Sequence, residues 1–153
     1  MERSEAVLGR RILDGIRYMT LATAGPTGRP WATPVWFAHH GYTELWWVSR
    51  PGARHSQNLA VRPEAGIVVF DSTVPISTGQ GVYVEAVAAE ADEADLAHGL
   101  AVYSRQAEAE GGRAWGPDDV TGEARLRLYR AQVVEAFVLS PKDERVPVNL
   151  ASE

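Results

Sequence analysis

Six short runs of β-favouring residues, each closed by a turn signal before the next begins, restrict this chain more than any other feature. They are residues 18–23, 31–38, 43–49, 66–71, 81–90 and 130–139. Tyr, Trp, Val, Thr and Phe suit a pleated, half-buried surface, and the Gly and Pro between the runs reverse the chain. Gly25-Pro26-Thr27-Gly28 joins the first two runs as a hairpin, and His39-His40-Gly41 reads as the polar turn into the third. Proline supplies no ladder donor, so Pro34 marks an edge position or a bulge. Residues 66–71 (GIVVFD) form a continuous apolar run suited to burial on both faces. In residues 81–90 the side chains alternate, with Val82, Val84, Ala86 and Ala88 on one face and Tyr83, Glu85, Val87 and Ala89 on the other.

Helical patterns are few. Residues 4–16 place Leu8, Ile12 and Ile16 on one stripe behind a capping Ser4. Residues 53–61 make a short helix that must stop before Pro63. The clearest helix is 92–110, with Asp92 as cap and Leu96, Leu100, Tyr103 and Ala107 as its apolar stripe. Gly99 inside it costs about 1 kcal/mol relative to Ala unless a close neighbour requires the missing side chain. Residues 122–128 suggest one more short helix. The tail around Val146-Pro147-Val148-Asn149-Leu150 is extended and apolar, and has to lie against its own barrel or a second subunit. Sequence-adjacent strands with so few helices point to a mainly β (α+β) chain. The expected fold is a six-stranded antiparallel barrel with peripheral helices, one domain over residues 1–153.

At 153 residues the chain fills one core and is too short for two comfortable domains. Its net charge of −5 argues against sequence-independent nucleic-acid binding, which needs a basic surface to displace counterions. The absence of cysteine excludes disulfides, thiolate metal sites and a cysteine nucleophile. No apolar run approaches the ~18 residues that cross a bilayer and no signal-peptide core is visible, so the expectation is a cytoplasmic protein without membrane contact. Five tryptophans are many for this length. Trp31, Trp36, Trp46 and Trp47 crowd into one hairpin-sized segment, where large aromatics build core or interface and can also wall a planar ligand.

The stretch 45–59 (LWWVSRPGARHSQNL) carries the strongest hint of chemistry. A strand ends at Ser49, Pro51-Gly52 turns the chain, and Arg54, His55 and Ser56 occupy the first turn of the following helix. Backbone N–H groups there are unpaired and the helix dipole is positive. With a guanidinium, an imidazole and the hydroxyls of Ser49 and Ser56, the junction makes an anion cradle. The same residues also suit an ordinary strand–turn–helix with a solvated arginine and a capping serine. The sequence contains no Ser-His-Asp set, paired acid or metal-spaced cluster. Adjacent His39 and His40 would face opposite ways on a strand and make poor joint ligands.

Four segments, YMTLATAGPTGRPWATPVWF, LWWVSRPGARHSQNLAVRPEAGIVVFD, GVYVEAVAAEAD and LYRAQVVEAFVL, follow one another in an order that resembles the split-barrel flavin-binding family related to pyridoxamine 5′-phosphate oxidase. The resemblance implies a split barrel that holds flavin mononucleotide (FMN) at a homodimer interface. Carried over by position, Ser49, Arg54 and His55 fall where the family holds the cofactor phosphate, with Val48, Ser56 and Asn58 in the same motif. Thr33, Pro34, Val35 and Trp36 fall along the ring and ribityl chain. Gln80 or its neighbour Gly81 falls where the family often uses a glutamine near the ring. Thr33 stands where the oxidase itself has an arginine and His55 where it has a lysine, and the C-terminal segment lacks a clear match to its substrate-binding residues. The resemblance therefore stops short of pyridoxamine 5′-phosphate oxidation.

The expected function is that of an FMN-dependent oxidoreductase acting on an unidentified small molecule. Trp36, Trp47 and Trp115 are candidates to wall the ring face, although simple core or interface packing is the commoner role for each. Related split barrels that use a deazaflavin coenzyme give one alternative. A flavin- or haem-binding module without turnover gives another, for which His39, His40, His55 and His98 are the only histidines available as axial ligands.

Overall fold

A computed structural model describes residues 2–151, with side chains from Ser4 onward. The elements run α1 (Glu2–Gly15), β1 (Tyr18–Ala24), β2 (Pro30–Trp36), β3 (Ala38–His40), β4 (Glu44–Ser49), α2 (Arg54–Val61), β5 (Glu64–Phe70), β6 (Gly81–Glu90), α3 (Glu93–Ala109), a 3-10 turn at Pro117–Asp119, β7 (Arg127–Leu139) and β8 (Arg145–Val148). All strand pairs are antiparallel, in the order β2-β1-β5-β6-β7-β4-β3. β7 is long enough to serve two partners along its second edge, β4 opposite Arg127–Gln132 and β8 opposite Ala136–Leu139.

The sheet rolls up because strands from its far ends share one core. Met19, Leu21, Val35, Leu45, Trp47, Ile67, Val82, Tyr129 and Val138 pack together inside. A second core lies between the sheet and α3, where Trp46 and Leu128 meet Leu100, Val102 and Tyr103. Strand alternation in β4 therefore sends Leu45 and Trp47 into the barrel and Trp46 and Val48 toward the helix. Gly99 permits that second contact. A Cβ there would stand 2.3 Å from Trp46 Cζ3 and 2.8 Å from Leu128 Cδ2. Asp92 caps α3 as its sequence indicates, accepting from the Asp95 N–H at 2.9 Å. The split β-barrel with peripheral helices is thus present, and Pro34 takes the edge alternative, since β2 ends the sheet.

Several details depart from expectation. Among the described residues there are eight strands where six were expected, because the tail adds β8 and the second run is divided into β2 and β3 by a change of partner at Phe37. Its N–H still donates to Arg17 at 3.2 Å, and from Ala38 the chain pairs with β4 instead. His39 and His40 consequently lie in β3, and the turn follows at Gly41 and Tyr42, both at positive φ. The run 66–71 is buried on one face only, with Phe70 47% exposed, because no helix covers the outer side of β5. The expected helix at 122–128 is absent. There the Arg127 guanidinium gathers the carbonyls of Gly122, Ala124 and Leu126, and β7 begins three residues early. Val134 has no partner on β6, where Glu85 faces Glu135 and Ala86 faces Val133, so a bulge bends β7 at its middle. The tail settles on its own barrel as β8, with Leu150 buried against Gly9 of α1.

Candidate functional site

The junction between β4 and α2 forms as its sequence suggests. Pro51 cannot extend the ladder, Ala53 N–H closes a turn onto Arg50 O at 3.1 Å, and α2 starts with no side-chain cap and no acid in its first turn. Its uncapped N-terminus is therefore electropositive. Arg54 is exposed, and its guanidinium lies 4.3 Å from the centre of the Trp31 ring. This cation–π contact holds a flexible cation in one direction. Trp31 comes from the start of β2 and was not among the expected site residues. Its only signal in the sequence was the crowding of tryptophans, which names no partner.

The other junction residues turn inward. Ser49 Oγ and His55 Nε2 are 2.7 Å apart and both residues are buried. Burial lowers the His55 pKa from its usual 6.5, so the imidazole is neutral at neutral pH and its hydrogen bond is spent inside the junction. Asn58 donates to Thr23 Oγ1 at 3.0 Å and ties α2 to β1. Ser56 is buried facing Tyr129. Burial raises the pKa of the Tyr129 hydroxyl, and the Ser56 hydroxyl pulls it partly back. Val48 is half-buried toward α3. Of the expected cradle, Arg54 is the one side chain that offers a full positive charge to solvent.

β2 connects this cluster to a second one. Thr33 is half-buried, Pro34 exposed, and Val35 belongs to the core. Trp36 points the other way and meets Tyr103 edge-on, with ring centres 5.0 Å apart. Tyr103 meets Trp115 edge-on at 5.4 Å. Trp36 and Trp115, separate candidates in the sequence, are thus joined by a tyrosine that sequence reading assigned only to a helix stripe. Burial pushes the Tyr103 hydroxyl up to about 12. Trp36 Nε1 donates to Glu110 Oε1 at 2.9 Å, and Gln106 donates to Glu110 Oε2 at 2.6 Å. Trp47, by contrast, is wholly enclosed and stacked on Tyr129, so it walls no open face.

From Trp31 to Trp36 the strand covers five residues, roughly 16 Å at about 3.3 Å each. Gln80 is exposed and Gly81 buried at the start of β6. They share the Trp36 end of the sheet, since Trp36 pairs with Tyr18 and Gly81 with Phe70 on the intervening strands. Among the described residues no group of three or more metal-ligating side chains is assembled, and no helix is long and apolar enough to cross a membrane.

The sequence pattern of the pyridoxamine 5′-phosphate oxidase family matches residues 9–140. The chain belongs to that family. No curated protein sequence matches it. Among solved structures it is similar to a haem-binding protein from Mycobacterium smegmatis, with a TM-score of 0.74 and 20% identity over 94% of this chain; it spans 57% of that protein's length. It is also similar to HutZ, the haem storage protein from Vibrio cholerae, with a TM-score of 0.65 and 20% identity over 84% of this chain and 90% of the other. A third similar structure is an F420 reductase, with a TM-score of 0.60 and 20% identity over 84% of this chain and 94% of the other.

Proposed function

We propose that this protein is a homodimeric oxidoreductase that binds FMN, with the phosphate at the start of α2 and the ring toward the Trp36 end of β2. The observation that carries the reading is the outward Arg54, held over Trp31 beside an uncapped helix N-terminus. Charge-assisted bonds from a guanidinium and first-turn N–H groups suit a phosphate. Thr33, Pro34 and Val35 present the strand backbone along the roughly 16 Å between the two clusters. Gln80 and Gly81 stand at the ring end. Ser49, His55, Ser56 and Asn58 act by fixing the angle between β4 and α2, and Val48 by seating the strand on α3. The flavin, when bound, supplies hydride transfer; the chain supplies position and exclusion of water.

Support for a dimer comes from the uncovered outer face of β1, β5, β6 and β7. Thr20, Ala22, Val68, Tyr83 and Phe137 line a mostly apolar depression of about 300 Å³ there, with Glu85 the one charged residue in its lining. Such a face suits the buried centre of an interface.

The test is the visible spectrum of purified protein before and after incubation with FMN and removal of the excess. Retention of about one flavin per subunit supports the reading, and a size measurement on the same sample checks the dimer. A colourless protein that takes up the deazaflavin F420 instead would move the cofactor and keep the site. Uptake of haem with neither flavin would overturn the oxidoreductase reading in favour of a haem-handling module.

A further inference from the structure

We propose that the cavity at the C-terminal end of α3 is a binding site for an organic ammonium group, and that the substrate of this protein carries one. As a substrate pocket it rests on the flavin reading above; as a cation site it does not. The cavity has a volume of about 230 Å³ and is lined by Trp36, Tyr103, Ala107, Glu110 and Gly112. Two aromatic rings and one carboxylate are the wall chemistry that selects a cation with an apolar body. Glu110 is the only charged side chain in that lining.

Three features aim the site at positive charge. The Glu110 side chain is only 14% exposed, so its carboxylate acts at reduced dielectric. Trp36 Nε1 and Gln106 Nε2 fix one oxygen each and hold it in place. α3 ends here with no basic residue in its last turn, which leaves the negative end of its dipole uncompensated by its own side chains. The cations nearby are accounted for. Arg113 lies 4.3 Å over the Trp115 ring and is paired with Asp119 at 3.1 Å, so its charge is already matched by a carboxylate. Arg17 Nε lies 3.2 Å from Glu110 Oε1, and the Arg17 side chain is 67% exposed. A contact from an exposed side chain is weakly held, so a ligand ammonium can displace it. The same wall disfavours a phosphate-bearing substrate, because a second anion beside Glu110 is repelled.

Benzylamine, benzyl alcohol and phenylacetate share a shape and differ in charge, and their binding to the whole chain is read by calorimetry and tryptophan quenching, with and without FMN. Benzylammonium is expected to bind at least about tenfold tighter than either of the others. Glu110→Gln keeps an oxygen for Trp36 Nε1 and is expected to reduce benzylammonium to the level of benzyl alcohol. Arg17→Ala, which removes the competitor on an exposed position, is expected to tighten it. Equal binding of the three probes, or a Glu110→Gln variant that still prefers the amine, overturns the proposal. If Glu110→Gln melts early, Arg17→Ala decides, and no tightening there overturns it too. Ammonium preference without FMN uptake removes the flavin reading and keeps the cation site. FMN uptake without ammonium preference does the reverse.

Discussion

The Ser49 hydroxyl and the His55 imidazole face each other at 2.7 Å across the turn that joins β4 to α2. The contact is buried and ties the end of a barrel strand to the first turn of the helix that follows it. Burial lowers the His55 pKa below its usual 6.5. Between that lowered value and 6.5 the unfolded chain binds more protons than the folded one, so stability rises with pH through this window. The melting temperature is therefore expected to fall as pH drops below 6.5 toward the lowered pKa. His55→Gln should flatten that slope, and an NMR titration of the ring should place its midpoint below those of ordinary histidines.

Arg54 can be removed at small structural cost. It is exposed, and its contact with Trp31 contributes about 1 kcal/mol or less at such a position. Its proposed bond to a phosphate is worth about 2 kcal/mol. Arg54→Ala is expected to weaken FMN at least about tenfold in a fluorescence titration while moving the urea midpoint of the apo protein little. Equal losses in both measurements would make Arg54 a structural residue.

Gly99 tests how closely α3 must approach the sheet. An added methyl would meet the Trp46 ring at 2.3 Å and Leu128 at 2.8 Å, and both neighbours are fully buried in the core beneath α3. Gly99→Ala should cost about 1–3 kcal/mol by denaturant unfolding, although alanine is the better helix former.

Tyr103 should be slow to ionise. Its pKa is pushed up to about 12 by burial, whereas an unfolded tyrosine ionises near 10. Folding therefore loses stability as pH rises above 10 through the raised value. Ultraviolet difference absorbance should show part of the phenolate signal arriving late, and Tyr103→Phe should remove that late part.

Leu150 anchors the tail. It is 3% exposed, and its side chain fills the space that Gly9 leaves open. Leu150→Ala should cost about 2–5 kcal/mol in a thermal or urea melt, the range for a buried leucine.

What could be read in the sequence was what neighbours along the chain decide. Asp92 caps α3 through an N–H three residues on, and the alternation of β6 follows from the pleat itself. The turn at Pro51-Gly52 and the start of α2 are equally local. Features set by distant partners were misread or missed. His39 looked like part of a turn because its partner strand was not yet known. Phe70 looked buried because an apolar run does not reveal whether a helix covers it. At the site, Arg54 was legible as a cation at a helix start, and its placement by Trp31 was not. His55 was expected to point at an anion, yet the geometry turns it to Ser49. Tyr103 and Glu110 join Trp36 and Trp115 only once α3 lies across the sheet.

The seat of Leu150 on α1 also sets a clock. Arg10 donates to the carbonyl of Leu150, a contact across 140 positions of sequence. On a ribosome that adds about 5–20 residues per second, α1 emerges on the order of 10 s before the segment that covers it. During that interval the face of α1 around Gly9 lacks its cover. The seat of α1 is therefore completed only after nearly the whole sequence has been made, a long-range closure of the kind that slows folding.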